Sequence, residues 1–439
     1  MIPMARQMKD SGVDWMGEIP CAWDTQKMKF LFAIKKRIAG KEGYTVLSIT
    51  QKGIVPKNLD SNEGQMAQNY SNYQLVHVGD FAMNHMDLLT GWVDISPYEG
   101  VTSPDYRVFV ANNQDLVNPR FYLYLFQNCY ANRIFYGMGQ GVSGLGRWRL
   151  PAEQFLNFRI PYPSANEQLN ISSILDTKCA EIDKVVEQTR ATIEEYKKLK
   201  QAIITEAVTK GVRGSRPMKP SGVEWIGDIP EDWDVARLKS LFNFGKGLAI
   251  TKENLTEKGI AVINYGQIHS KRNTETGIQE ELFTFVNPSY LATSAQALVK
   301  NGDFIFADTS EDLDGCGNCV YVDKHIPLFA GYHTIILISK FERSNKYLSY
   351  LFKSDYWRRQ IRNKVSGVKL FSISRKILNM ATCIVPPESE QTNIVSYLDT
   401  KCAEIDRIIE KKEQLIEELG SYKKSLIYEY VTGKKEVTA

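Results

Sequence analysis

Cys316 and Cys319 stand in CxxC spacing, with His325 and His333 downstream. Four ligands of these types are what a tetrahedral zinc site needs. The spacing is loose, and the first half of the chain has no matching set, so ordinary reduced thiols are the better reading and no metal is expected. Gly139, Gly141 and Gly144 have the spacing of a dinucleotide-binding loop. That pattern cradles a pyrophosphate only between a strand and a helix, with an acid about 20 residues further on. Here it follows a helical stretch and precedes basic residues, so a flexible glycine-rich loop delivering Arg147 and Arg149 is expected instead. No GxxxxGK[ST] phosphate loop occurs, and no cofactor is expected in this chain.

The charge is more informative. Residues 340–376 hold eleven Lys or Arg against Glu342 and Asp355, and residues 116–159 hold five Arg against Glu153. Both stretches interleave aromatics, Tyr350, Tyr356, Trp357 and Phe371 in one, Tyr122, Tyr130, Tyr136 and Trp148 in the other. Basic residues among aromatics suit a phosphate backbone, and arginine also reads guanine edges. Recurrence at the same point of both halves favours nucleic acid over a merely solvated face. The candidate DNA contacts are Arg147, Trp148, Arg149, Lys271, Arg272, Arg358, Arg359, Arg362, Lys364, Lys369 and Arg375. Asn287–Tyr290 reads NPSY, close to the Asn-Pro-Pro-Tyr motif of amino-group DNA methyltransferases. Its third residue is serine and no S-adenosylmethionine loop precedes it, so it is read as a turn.

These residues must be positioned by a chain of 439 residues with net charge +3 and seven scattered cysteines. That length suits about two or three domains. Single cysteines in odd number fit a reducing compartment. No long apolar run is present for a membrane span, and the first residues lack the apolar core of a signal peptide, so a cytoplasmic protein is expected.

The chain is two copies of one plan. Residues 8–32 return at 218–242 with fourteen of 25 positions identical, including the pairs Trp15/Trp225, Pro20/Pro230 and Trp23/Trp233. "GDF" recurs at 79–81 and 302–304, and "LDTKCAEID" recurs unaltered at 175–183 and 398–406. The bodies between, roughly 33–160 and 243–385, share little else, which suggests one fold put to different recognition tasks. They read as mixed α/β, with strands in "YTVLSIT", "IAVINYGQI", "GDFAMNH", "NGDFIFADT", "YRVFV" and "HTIILIS" and helices in 119–135 and 345–363. Each copy then ends in a long helix. Residues 164–210 contain no Gly or Pro, and the second helix carries Gly420 in its interior. Apolar residues at Ile171, Leu175, Cys179, Ile182, Val186, Ile193, Tyr196, Ile203 and Ala207 form a coiled-coil seam, repeated from Ile394 to Tyr430. Such helices would span roughly 65 Å. They are expected to pack antiparallel with a body at each end. Joining the chain's ends would nearly recreate its middle, so the termini should lie close together, related to the central linker by a pseudo-twofold axis.

"SGVEWIGDIPEDW", "GDF", "IPYPSANEQLNI", "IVPPESEQTNI" and "LDTKCAEID" together resemble the specificity subunit of type I restriction–modification systems, over essentially the whole chain and twice. The one departure is "IPYP" where the family usually shows adjacent prolines. The resemblance implies an α+β protein with two α/β target-recognition domains, 1–163 and 212–387, and two antiparallel spacer helices, 164–211 and 388–433, in a pseudo-twofold circular organisation. It implies a non-catalytic subunit that reads an asymmetric, split double-stranded DNA target, with half-sites about 10 bp apart centre to centre. It also implies two modification methyltransferase subunits and a restriction endonuclease/translocase subunit as partners, which would carry the S-adenosylmethionine, ATP and Mg. Lys178, Glu181 and Asp183, with Lys401, Glu404 and Asp406, are the expected docking residues for those methyltransferases. The competing readings are a self-contained DNA adenine methyltransferase and a coiled-coil interaction protein.

Overall fold

The computed structural model describes residues 6–58, 67, 69–142, 147–224, 226–273, 276–341, 344–367 and 369–437. The chain divides into two compact units, one of residues 1–190 with 413–439, the other of residues 191–412. Among the described residues, no helix is long and apolar enough to cross a membrane.

In the first unit, Met8–Asp10 pairs with Glu18–Pro20, and Asp24–Lys27 pairs with Arg159–Tyr162. The central sheet is antiparallel, in the order Phe32–Lys35, Arg107–Ala111, Phe81–Met83, Val93–Ile95. The "GDF" stretch shows why it starts where it does. Gly79 takes φ 89°, a conformation glycine adopts without steric cost. Asp80 accepts the amide of His77 at 2.8 Å, and Phe81 then enters the core. The helix Pro119–Ala131 covers this sheet, capped by the Asn118 side chain and begun by a proline whose missing N–H costs nothing there. Phe32, Phe81, Phe109 and Phe126 meet edge-to-face or stacked beneath it.

The second unit repeats this build. Met218–Pro220 pairs with Asp228–Pro230, Asp234–Arg237 with Thr382–Val385, and the central sheet runs Phe242–Lys246, Thr334–Ser339, Phe304–Ala307, Cys319–Tyr321. Gly302 takes φ 95° and Asp303 accepts the amide of Lys300 at 2.9 Å. The units part company in what lies beyond that sheet. The first has two two-stranded pairs, Leu47–Thr50 with Gly53–Pro56 and Gln74–Val76 with Gly100–Thr102, joined by a parallel bridge between Val46 and Val101. The second has a five-stranded sheet, Leu255–Thr256, Thr284–Val286, Ile260–Ile263, Leu328–Ala330, Leu298–Val299, with its own apolar core around Val262 and Phe329.

Two elements differ from expectation. The helix expected over 345–363 is two helices, Lys346–Lys353 and Asp355–Arg362, because Ser354 is extended and its hydroxyl caps the second by accepting from Trp357 N. The strand in "IAVINYGQI" stops at Ile263, where Asn264 and Gln267 form a capping box and start the short helix Tyr265–Ile268.

The long helices run Ala165–Lys210 and Glu388–Val431. Ile171, Leu175, Cys179 and Ile182 are buried with Leu426, Tyr430 and Val431 in the first unit. Ile394, Leu398 and Cys402 are buried with Ile204, Ala207 and Val208 in the second. Ile204 is the more deeply buried and Ile203 packs partly buried against the same core, as a helix of 3.6 residues per turn drifts from a 3.5 repeat. Contacts run antiparallel: Lys423 bonds Asp183, and Lys200 bonds Asp406.

Each helix ends on a glycine in the left-handed region, Gly211 (φ 81°) and Gly433 (φ 73°). Beside each end, a tryptophan indole donates to a glutamate at the start of a long helix, Trp23 to Glu167 at 2.7 Å and Trp233 to Glu390 at 3.0 Å. An arginine lies over each indole and pairs with the same glutamate, Arg6 in one unit and Arg216 in the other. In the second unit this arginine belongs to the continuous linker. In the first it belongs to the N-terminal segment, and Lys434 closes the gap by donating to the carbonyls of Met16 at 2.6 Å and Glu18 at 3.0 Å. Among the described residues, the N-terminal and C-terminal segments of the chain therefore lie side by side.

Candidate nucleic-acid interface

In the second unit the helix Asp355–Arg362 is fixed by its inner face. Trp357 donates to Thr382 O at 2.9 Å, and Gln360 both donates to that carbonyl at 3.0 Å and accepts from Thr382 N at 2.8 Å. Arg359 is on the opposite face, exposed, with no ion pair among the described residues. Its neighbours are less available than their positions suggest. Arg358 is half-buried and donates Nε to Phe352 O at 3.0 Å, and burial lowers its pKa. Arg362 is 16% exposed and donates to Asp314 O at 2.8 Å and Asp355 Oδ1 at 3.1 Å. Both arginines therefore tie the helix into the protein, Arg362 by bridging it to the 312–318 loop.

That loop leads to the remaining cations. Thr309 and Ser310 pair with Ser372 and Phe371, and Ser366 bridges to Ser372, closing a turn that carries Lys369. Lys364 is exposed before this turn and Lys369 within it, and Arg375 is exposed at the first position of the helix Arg375–Met380. His269 accepts or donates through its ring at both Thr309 O (2.8 Å) and Asn318 Nδ2 (3.2 Å), which brings the exposed turn holding Lys271 and Arg272 to the same place. Five exposed cations, Lys271, Arg272, Lys364, Lys369 and Arg375, thus sit on connected loops with no ion pair among the described residues.

In the first unit the expected glycine-rich loop is a hairpin. Gln140–Val142 pairs with Arg147–Arg149, while residues 143–146, Gly144 included, lie outside the described residues. Arg149 is exposed. Trp148 departs from expectation: it is half-buried, donates Nε1 to Tyr136 O at 2.8 Å and packs against the Tyr136 ring. Gly139 permits this, since a Cβ there would come within 2.3 Å of the indole nitrogen. Arg147 is placed by its backbone in the strand. Behind the hairpin lies a group that the sequence did not reveal. Arg107 is buried at 4% exposure, donates to Leu150 O at 2.8 Å, and lies over the Phe155 ring. Burial draws its pKa down to about 10. Burial, together with Arg107 and Arg149, draws the His85 imidazole down to about 3, so that ring stays neutral. An arginine inside the apolar run "YRVFV" was the available signal.

The nonapeptide of each long helix is a joint. Asp176 accepts from Tyr124 OH at 2.7 Å and from Arg120 Nε at 2.6 Å. Asp399 accepts from Tyr350 OH and Lys346 Nζ, each at 2.7 Å. Asp183 and Asp406, expected among the docking residues, are exposed and also pair with Lys423 and Lys200 of the other long helix. Lys178 and Glu181 pair with each other at 3.1 Å and Lys401 and Glu404 at 2.9 Å, all exposed apart from half-buried Lys401.

Other sequence features settle into structure. Asn287 Oδ1 accepts from Ser289 N at 2.9 Å, so NPSY is an Asx turn before the short helix Tyr290–Thr293. Cys316 and Cys319 are buried, and burial raises both thiols, Cys319 to about 11. His325 faces Asn301 and His333 faces Asp308. Among the described residues no three His, Cys, Asp or Glu side chains gather as a ligand group.

Residues 29–195 and 230–418 match the model of the type I restriction modification DNA specificity domain. The chain is similar to the type I restriction enzyme MjaVIII specificity subunit of Methanocaldococcus jannaschii, 26% identical over 318 residues, covering 72% of this chain and 70% of that one. It is similar to the putative MjaX specificity subunit of the same organism, 23% identical over 445 residues and 96% of each chain. In fold it is similar to a solved chain from a study of complex assembly and conformational transition of the type I R-M system, with a TM-score of 0.70, 14% identity, and coverage of 95% of this chain and 99% of that one.

Proposed function

This chain belongs to the family of type I restriction-modification DNA specificity domains, and on that premise we propose that it reads an asymmetric, two-part target in double-stranded DNA, one part by each body. The observation that carries this is the difference between the bodies. Both keep the central sheet and its strand order, but among the described residues the strands beyond it differ: in the first body two antiparallel pairs meet at the single bridge of Val46 with Val101, and in the second five strands form one sheet. One scaffold with two unlike reading surfaces suits two unlike half-sites. The exposed cations of the loops in 264–273 and 364–375, with Arg359 and Arg149, would hold phosphates or base edges.

The chain is a non-catalytic cytoplasmic subunit in this reading. It docks two methyltransferase subunits and a restriction endonuclease/translocase subunit, and these carry S-adenosylmethionine, ATP and Mg. The exposed pairs Lys178–Glu181 and Lys401–Glu404 occur once per nonapeptide, which fits one methyltransferase on each. The test is to co-produce the chain with the methyltransferase subunit of its own system and map methylated adenines across the host genome. A single split, asymmetric motif supports the reading. Methylation by the isolated chain, or none with the partner present, overturns it. Exchanging residues 243–385 for those of a relative should then change one half of the motif only.

A further inference from the structure

Within the described residues two non-glycine residues adopt positive φ, Arg133 at 56° and His333 at 55°. Arg133 is explained by its place just past the helix Pro119–Ala131, where left-handed residues commonly end helices. His333 has no such role. It lies in the turn between the strands Leu328–Ala330 and Thr334–Ser339, where a glycine would adopt the same backbone without strain. Strain at a non-glycine residue persists only where its surroundings enforce it, and such residues cluster at ligand-contacting positions.

The surroundings are specific. The His333 ring packs edge-on against Tyr265 at 5.5 Å and Tyr332 at 6.0 Å, and its Nδ1 lies 3.2 Å from Asp308 Oδ1. A carboxylate only accepts, so Nδ1 carries the hydrogen, and Nε2 is the ring's second polar atom. The side chain is nonetheless 57% exposed. Its backbone is joined to the basic turn: Asp308 N donates to His333 O at 3.1 Å, and Ile373 N donates to Asp308 O at 2.7 Å, just beyond the turn that carries Lys369. An oriented, exposed imidazole on an aromatic support is therefore joined through the Asp308 backbone to the segment that follows the Lys369 turn.

We propose that His333 is a specificity-determining residue of the second body, reading one base edge through Nε2, with Asp308 as its positioning residue and Lys369 as a phosphate contact. This rests on the DNA-reading function proposed above, and deepens it. The bland alternative is a turn residue that merely fills space.

The test uses the chain co-produced with its methyltransferase subunit, with methylome mapping as the readout. His333→Gly removes the ring and the strain together, so the fold should hold and the thermal midpoint should not fall. Selectivity should relax at one position of one half-site, by tenfold or more, with the other half unchanged. His333→Asn, which also tolerates the left-handed backbone, should relax or alter the same position. Lys369→Ala should lower methylation at all sites alike. An unchanged motif with either His333 variant at wild-type methylation levels overturns the inference and leaves the DNA-reading function standing. Absence of any motif with the wild-type chain defeats that function itself.

Discussion

Lys423 Nζ donates to both carboxylate oxygens of Asp183, at 2.6 and 2.7 Å, and Lys200 does the same to Asp406, at 2.7 and 2.6 Å. In each unit, one nonapeptide's last aspartate receives a lysine from the other long helix. The aspartate is therefore a clamp between helices. A double-mutant cycle on Asp183→Ala and Lys423→Ala, read by urea denaturation, should give a coupling of about 0.2–1 kcal/mol, as the pair is partly exposed. Raising the salt concentration should shrink it.

The outward pair is separable from the clamp. Exchanging Lys178 for Glu and Glu181 for Lys keeps the local pair but reverses the charge pattern. The fold should be unaffected, within about 0.5 kcal/mol. Native mass spectrometry of the complex should show one methyltransferase subunit lost, the second remaining on the unaltered Lys401–Glu404 side. Retention of both subunits would count against docking at this pair.

Tyr124 and Tyr350 anchor the bodies to the helices. Burial first, then the bond to Asp176, raises the Tyr124 phenol, so it stays protonated and donates. Tyr124→Phe removes a hydrogen bond to a charged acceptor and should cost about 1.5–3 kcal/mol in chemical denaturation.

Acid should destabilise both units for different reasons. Burial raises the pKa of Glu390, but bonds from Arg216 and Trp233 outweigh it, and the folded value is lowered. Its contribution is present above the unfolded value and is lost as pH falls through the folded one, below about pH 4. His85 is held down to about 3, so the unfolded chain binds its proton first, and stability falls as pH drops from about 6.5 towards that value. A His85→Gln variant should flatten the thermal midpoint against pH between those limits, and Glu390→Gln should flatten it only below about pH 4. Glu390→Ala, which leaves Arg216 only its longer pair with Asp232 at 3.8 Å and its bond to Lys210 O, should cost up to about 3 kcal/mol at neutral pH.

Phosphate contacts should be legible in salt dependence. Lys364→Ala or Arg359→Ala should reduce the slope of log affinity against log salt by about one and leave the recognised motif intact. Arg362→Ala should instead loosen the 312–318 loop, seen as faster hydrogen exchange there without DNA.

Much of this was legible in the sequence because repeated segments do repeated work. The tryptophan of each leading segment, the "GDF" turn and the seam of each long helix could be aligned and given one role. What escaped were pairings between distant residues of unlike type. Nothing in a linear reading tells Arg359 from Arg358 and Arg362, since the difference lies in a carbonyl of residue 352 and a loop at 312–318. Trp148 looked like an exposed aromatic because its acceptor, Tyr136 O, is a backbone atom. The fate of Asp183 depended on a lysine 240 positions away.

The charged part of each body's seat on its long helix is small, beside a larger apolar contact. An Arg or Lys and, four residues later, a Tyr meet a single Asp of the nonapeptide, as Arg120 and Tyr124 on Asp176, and as Lys346 and Tyr350 on Asp399. A body that keeps this two-residue plug and the apolar seat beside it should be exchangeable for its predecessor, so that one half of the chain can be replaced while the other stays as it was.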